Sequence, residues 1–167
     1  SALPAAPPAA QPPMPAMRPL DPSLILPAGR PEAEYVESFL QAFGATAERP
    51  AIFRDASGAR ITIGADLFQQ ADGRTKASKR GRARFLLLLA HALLDPDEIW
   101  LDWAVLQSGA VVLRRRYLRR GGEGSKAALS SFEWTRAGWH GVTTFASDDS
   151  YVEGQRRGVL LYRRGEE

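Results

Sequence analysis

Ten of the twelve prolines fall between Pro4 and Pro31, interleaved with alanine. Proline lacks an amide donor and clashes with the preceding turn, so no helix can run through this stretch. It reads as an extended, semi-rigid linker. Residues 1–30 are expected to be largely disordered, because they lack large apolar residues in a periodic pattern. A solvated spacer is the plain reading, and a proline-rich ligand for a partner is the other. The domain organisation expected is a Pro/Ala-rich linker over residues 1–32 and one folded domain over 33–167. A linker at this position suggests the C-terminal piece of a longer polypeptide.

The remaining length suits a single domain, and a hydrophobic fraction of 44% can supply its core. The chain has no cysteine, which removes disulfides, thiolate zinc sites and cysteine nucleophiles together. His91 and His140 are the only histidines, too few for a three-histidine metal site. The longest apolar run, Phe85 to Ala90, is far too short to cross a bilayer. The expectation is a soluble, cofactor-free domain that acts in the cytosol, without a membrane partner and as a monomer in isolation.

Periodicity sets the fold class. Val36, Phe39, Leu40 and Phe43 share one helical face, with Glu32, Glu34 and Glu37 at its N-terminal half and Gly44 as its stop. Ala51–Phe53 and Ile61–Ile63 flank Asp55-Ala56-Ser57-Gly58, a hairpin signature. A short helix fits Ala65–Gln70. A longer one fits Lys79–Leu94, capped by Ser78 and ended by Asp95-Pro96. The period then switches to two over Ile99–Ala104, Val111–Arg119, Ala127–Thr135, Trp139–Ala146 and Gly158–Arg163. Ser147–Gln155 reads as a connection. The predicted class is α+β, with N-terminal helices packed on a twisted antiparallel sheet of four to five strands.

Charge is unevenly spread. Residues 1–72 hold 5 basic and 8 acidic side chains, whereas residues 73–167 hold 17 and 11. Three windows concentrate the cations: Arg74–Arg84 with Lys76, Lys79, Arg80 and Arg82; Arg114–Arg120; and Arg156, Arg157, Arg163 and Arg164 around the last strand. Guanidinium groups without matching acids would bond phosphates in bidentate fashion, and RNA is the polyanion expected. Solvated strand edges that discourage aggregation are the alternative. Lys76, Arg80, Arg114, Arg116 and Arg156 are the candidate RNA contacts.

His140 is the candidate for proton transfer. Histidine titrates near neutrality and can take or give a proton during phosphodiester cleavage. Strand alternation puts His140, Val142 and Thr144 on one face and Trp139, Thr143 and Phe145 on the other. His91 sits among leucines and reads as structural. Trp100, Trp103, Trp134 and Trp139 could stack on bases, although strand tryptophans are more often core. Asp95, Asp97, Glu98 and Asp102 lack the glycine-spaced loop of a divalent-cation site. No phosphate-binding glycine loop, dinucleotide fingerprint or nucleophile elbow is present.

Several segments, taken in order, carry a resemblance. They are Ile61-Thr62-Ile63 with Leu67-Phe68, Lys76-Ala77-Ser78-Lys79-Arg80-Gly81-Arg82, Leu86–Leu89, Asp95-Pro96-Asp97-Glu98-Ile99-Trp100, Val142-Thr143-Thr144-Phe145 and Gln155–Arg164. Together they resemble the phage-encoded branch of the barnase–EndoU–colicin–RelE nuclease superfamily. Such domains end Mu-like phage head-morphogenesis proteins and some bacterial polymorphic toxins. The resemblance implies metal-independent RNA cleavage, of tRNA in toxin members, and leaves room for a cognate immunity protein. It also implies delivery as a toxin domain or carriage with a phage particle. The catalytic set expected is His140 with Thr144, and Lys79, Arg82, Arg157 and Tyr162 on the scissile phosphate. The alternative is a non-catalytic nucleic-acid-binding or structural module of a phage head protein.

Overall fold

The computed structural model describes residues 12–69, 82–122, 127–136 and 138–166. Helix α1 (Glu32–Ala42) precedes a hairpin of β1 (Ala51–Arg54) and β2 (Arg60–Ile63). Helix α2 (Leu86–Leu94) leads into β3 (Glu98–Val105), β4 (Val111–Gly121), β5 (Ala128–Thr135) and β6 (Gly138–Phe145). Helix α3 (Asp149–Gln155) and β7 (Val159–Arg163) follow. The main sheet has five strands in the order β6-β5-β4-β3-β7, every neighbour antiparallel.

The α+β class therefore stands, but the helices are not gathered at the N-terminal side. The Ser147–Gln155 stretch, expected as a connection, contains α3. Asp148 starts it by accepting from the Tyr151 amide at 2.8 Å. Seven residues with one buried apolar side chain, Val152, show too little periodicity to be seen in the sequence. The second helix also differs. Ser78 and Lys79 lie outside the described residues, and Arg82–Phe85 forms a 3-10 turn before α2 begins at Leu86.

Local chemistry explains the boundaries. Helix α1 buries Tyr35, Phe39 and Leu40. It closes where Gly44 adopts φ +75°, with amide bonds from Gly44 to the Gln41 carbonyl and from Ala45 to the Leu40 carbonyl. The β1–β2 turn forms because the Asp55 carboxylate accepts from the Ser57 and Ala59 amides. Tyr117 Oη then donates to the same carboxylate at 2.5 Å, fastening this hairpin to the central strand β4. Burial and this bond push the Tyr117 phenol far above its ordinary value.

Alternation gives the sheet two unlike faces. On the inner face Ile99, Tyr117, Phe132 and Trp139 pack against Phe39, Leu86, Leu89 and Leu93. On the outer face Trp100, Leu118 and Leu129 form a smaller cluster, covered by Val152 of α3 and by Met14. Met14 belongs to the proline-rich stretch, and residues 12–31 differ from the free spacer expected. Pro15 is buried, Arg120 Nη1 donates to the Pro15 carbonyl at 2.8 Å, and Leu24 is buried. Prolines offer only acceptors, and the sheet answers with arginine donors.

Candidate functional site

The outer face beyond α3 carries a row of charged side chains across four strands. Asp102 of β3 lies opposite Arg114 of β4, Arg116 of β4 opposite Glu133 of β5, and Glu133 opposite His140 of β6. Directly opposed residues have Cβ atoms about 5 Å apart, so antiparallel pairing alone brings the last three into contact range.

The row is closed at one end and open at the other. Arg116 is 1% exposed and Asp102 is 6% exposed, whereas His140 faces solvent. Arg114 grips Asp102 with two bonds of 3.1 Å, from Nε and Nη2. Arg116 Nη1 donates to the Gln155 carbonyl at 3.1 Å, and its Nε donates to Glu133 Oε1 at 3.0 Å. Arg116 Nη2 also bonds Glu133 Oε1. Both bonds end on one oxygen, and Glu133 Oε2 accepts none among the described residues. Burial tends to raise the Glu133 pKa. The Arg116 hydrogen bond and the charges of Arg116, Arg114 and His140 outweigh it, and the carboxyl titrates below its ordinary value. At neutral pH the arrangement offers a fixed carboxylate with a free oxygen, an imidazole beside it, and a buried cation behind.

The remaining predicted residues scatter. Thr144 shares the His140 face but lies four residues further along β6, about 13 Å away by strand rise. Its Oγ1 donates to Tyr151 Oη at 3.2 Å. Tyr162 pairs with Ile99 and packs on the inner-face core. Strand β7 is four strand spacings from β6, about 19 Å, so Tyr162 and His140 do not share one phosphate. Arg82 is exposed in the turn before α2. Lys76, Lys79 and Arg80 lie outside the described residues. Arg157 is exposed and borders the row. The residue two before it bonds Arg116. The residue after it, Gly158, has φ +94°, and a Cβ there would overlap the Leu101 carbonyl.

Acids match the arginines that were expected to be unpaired. On β4, Arg114 pairs with Asp102, Arg115 with Asp55, Arg116 with Glu133, Arg119 with Asp95 and Arg120 with Asp149. Arg156 is 1% exposed and makes bonds of 2.7 and 2.9 Å to Glu98, which is fully buried. It also bonds Glu153 at 2.6 Å and lies over the Trp100 ring. Arg114, Arg116 and Arg156 are thus held by carboxylates before any ligand arrives. Asp55 comes from the acidic N-terminal part of the chain, and no linear window reveals such partners. Trp100 and Trp139 are buried.

Glu133 is the residue that sequence reasoning missed. A signal existed: it is the only carboxylate between Glu123 and Asp148. The antiparallel register of β5 with β6 sets it against His140.

Residues 38–163, well over half of the chain, match the model of a nuclease family, phage-Barnase-EndoU-ColicinE5/D-RelE like nuclease2. The chain belongs to this family, and nucleic acid is its class of substrate. No curated protein and no solved structure matches the chain. Among the described residues, no helix is long and apolar enough to cross a membrane.

Proposed function

We propose that the domain is a metal-independent endoribonuclease whose proton-transfer pair is Glu133 and His140. The observation that carries this reading is their direct opposition at the open end of the row, with Arg116 holding Glu133 from behind. RNA supplies its own nucleophile, so the protein needs an acceptor, a donor and positive charge. Glu133 Oε2 takes the 2′-hydroxyl proton as O2′ attacks phosphorus. Protonated His140 gives a proton to the departing O5′. The products are a 2′,3′-cyclic phosphate and a 5′-hydroxyl, and each side chain ends in the other protonation state. Arg116, fixed behind Glu133, supplies positive charge, and Arg157, exposed beside the Asp102 end of the row, is a candidate contact for the RNA backbone. Thr144 and Tyr162 have no part in this scheme, whereas Lys79, Arg82, Lys76 and Arg80 stay candidates for contacts along the RNA backbone.

The test is incubation of residues 1–167 with total RNA in EDTA, followed by end-group analysis. Cyclic phosphate termini on RNA and no cutting of DNA support the reading. Tight RNA binding without cleavage of any RNA, tRNA included, supports a binding module of a phage head protein or toxin instead.

A further inference from the structure

Residues 12–18 cross the outer face next to the row. Arg156 Nη2 donates to the Pro12 carbonyl at 2.9 Å, and Arg120 Nη1 to the Pro15 carbonyl at 2.8 Å. Met14 packs on the cluster of Trp100, Leu118, Leu129 and Val152. Arg18 then forms a parallel bridge to Gly121, and its carbonyl accepts from the Gly122 amide at 2.9 Å. The Arg18 guanidinium reaches Asp95 at 2.6 Å and Asp97 at 2.9 Å. Residues 12–18 themselves precede residues 38–163, which the family model matches.

We infer that residues 12–18 are a positioning element for the Glu133–His140 pair, acting through Arg156. The inference rests on the function proposed above. The path is short and continuous. Pro12 bonds Arg156, and Arg156 directly follows Gln155 at the end of α3. The Gln155 carbonyl bonds Arg116, and Arg116 bonds Glu133. Helix α3 has seven residues, too few to be stable alone. Val152 and Arg156 hold it to the sheet, and the strap touches the surroundings of both. With the strap gone, the last turn of α3 loosens, Arg116 loses a fixed acceptor, and its grip on Glu133 slackens. The Glu133 carboxyl then titrates nearer its ordinary value, because the Arg116 bond is the largest of the interactions that oppose its burial.

The experiment compares the full chain with one lacking residues 1–17 and with Met14→Ser in the full chain. A chain lacking residues 1–11 is the reference that keeps every contact described here. The readouts are the Glu133 carboxyl titration by NMR, kcat and KM for RNA cleavage, and thermal unfolding. In the chain lacking residues 1–17, the Glu133 titration is expected to move upward. Its kcat is expected to fall about 10- to 100-fold, the scale of a small misplacement of a catalytic group, with KM little changed. Met14→Ser should move both in the same direction by less, and it decides the matter if the deletion does not fold. A folded variant with parental Glu133 titration and kcat would reduce the strap to a stabilising wrap and overturn the inference. Should the parent cleave no RNA, the proposed function fails, but the Glu133 titration still decides the role of the strap.

Discussion

The two faces of the five-stranded sheet are built from the same strands and do opposite work. The inner face is apolar and closed by α1 and α2 around Phe39, Leu93, Tyr117 and Phe132. The outer face is closed only in part, by α3 and the strap, and ends in Glu133 and the exposed His140. Strand β4 shows the contrast within a few residues. Tyr117 points into the core, whereas Arg116 beside it points into the charged row. An arginine-rich strand is therefore not by itself an RNA-binding strand. Five of its cations are already matched by acids, and what remains for a substrate is the open end.

If the closed part of the outer face is held by buried ion pairs, breaking one should cost more than trimming a bond on the inner face. Glu98→Ala leaves Arg156 buried without its main partner and should destabilise the domain by about 3–5 kcal/mol, read from urea unfolding. Tyr117→Phe removes one hydrogen bond to Asp55 and should cost about 1–3 kcal/mol in the same measurement. Equal losses would erase the difference between the faces.

Acid should distinguish them as well. Glu133 titrates below its ordinary value in the fold. Its carboxylate therefore adds stability above the unfolded-state value of about 4.5, and that contribution drains as pH falls through the folded value. Glu133→Gln should show a shallower loss of stability over that acid range. His91 lies half-buried on α2, and burial, then the Arg119 charge, lower its pKa against the pull of Asp95 and Asp21. A lowered histidine value favours the neutral form in the fold. Its share of stability is complete above the ordinary histidine value of 6.5 and is lost as pH falls through the folded value. His91→Gln should flatten the slope just below pH 6.5, and an unchanged slope would remove His91 from this account.

The smallest effect belongs to the rim. Arg157→Ala should weaken RNA binding about equally across sequences and reduce the salt slope by about 1. Titration at several salt concentrations checks this. A change confined to one RNA sequence would mean that Arg157 reads bases instead.

Short-range features were legible in the sequence. The face of α1, the Asp55–Gly58 turn and all five strands of the main sheet follow from period and turn chemistry between near neighbours. Features that depend on strand order were not. Strand β7 inserts beside β3, so Tyr162 lands at the far edge from His140 and on the other face. Asp55 and Asp95 neutralise arginines from elements distant in sequence. The proline segment looked like a spacer because its binding groups are backbone carbonyls, which no side-chain pattern displays. Glu133 sat between Phe132 and Trp134 in a strand read for its apolar residues, and only the hairpin register sets it against His140.

The pH dependence of metal-free RNA cleavage tests the Glu133–His140 pair most directly. The parent should give a bell-shaped profile of kcat/KM, because one group must be deprotonated and the other protonated. Glu133→Gln should erase the acid limb and His140→Ala the alkaline limb. Each should lower the rate by about 10²–10⁴-fold, the usual worth of general acid–base catalysis, with RNA affinity little changed. Folded single variants that keep the parental rate and both limbs would contradict the account.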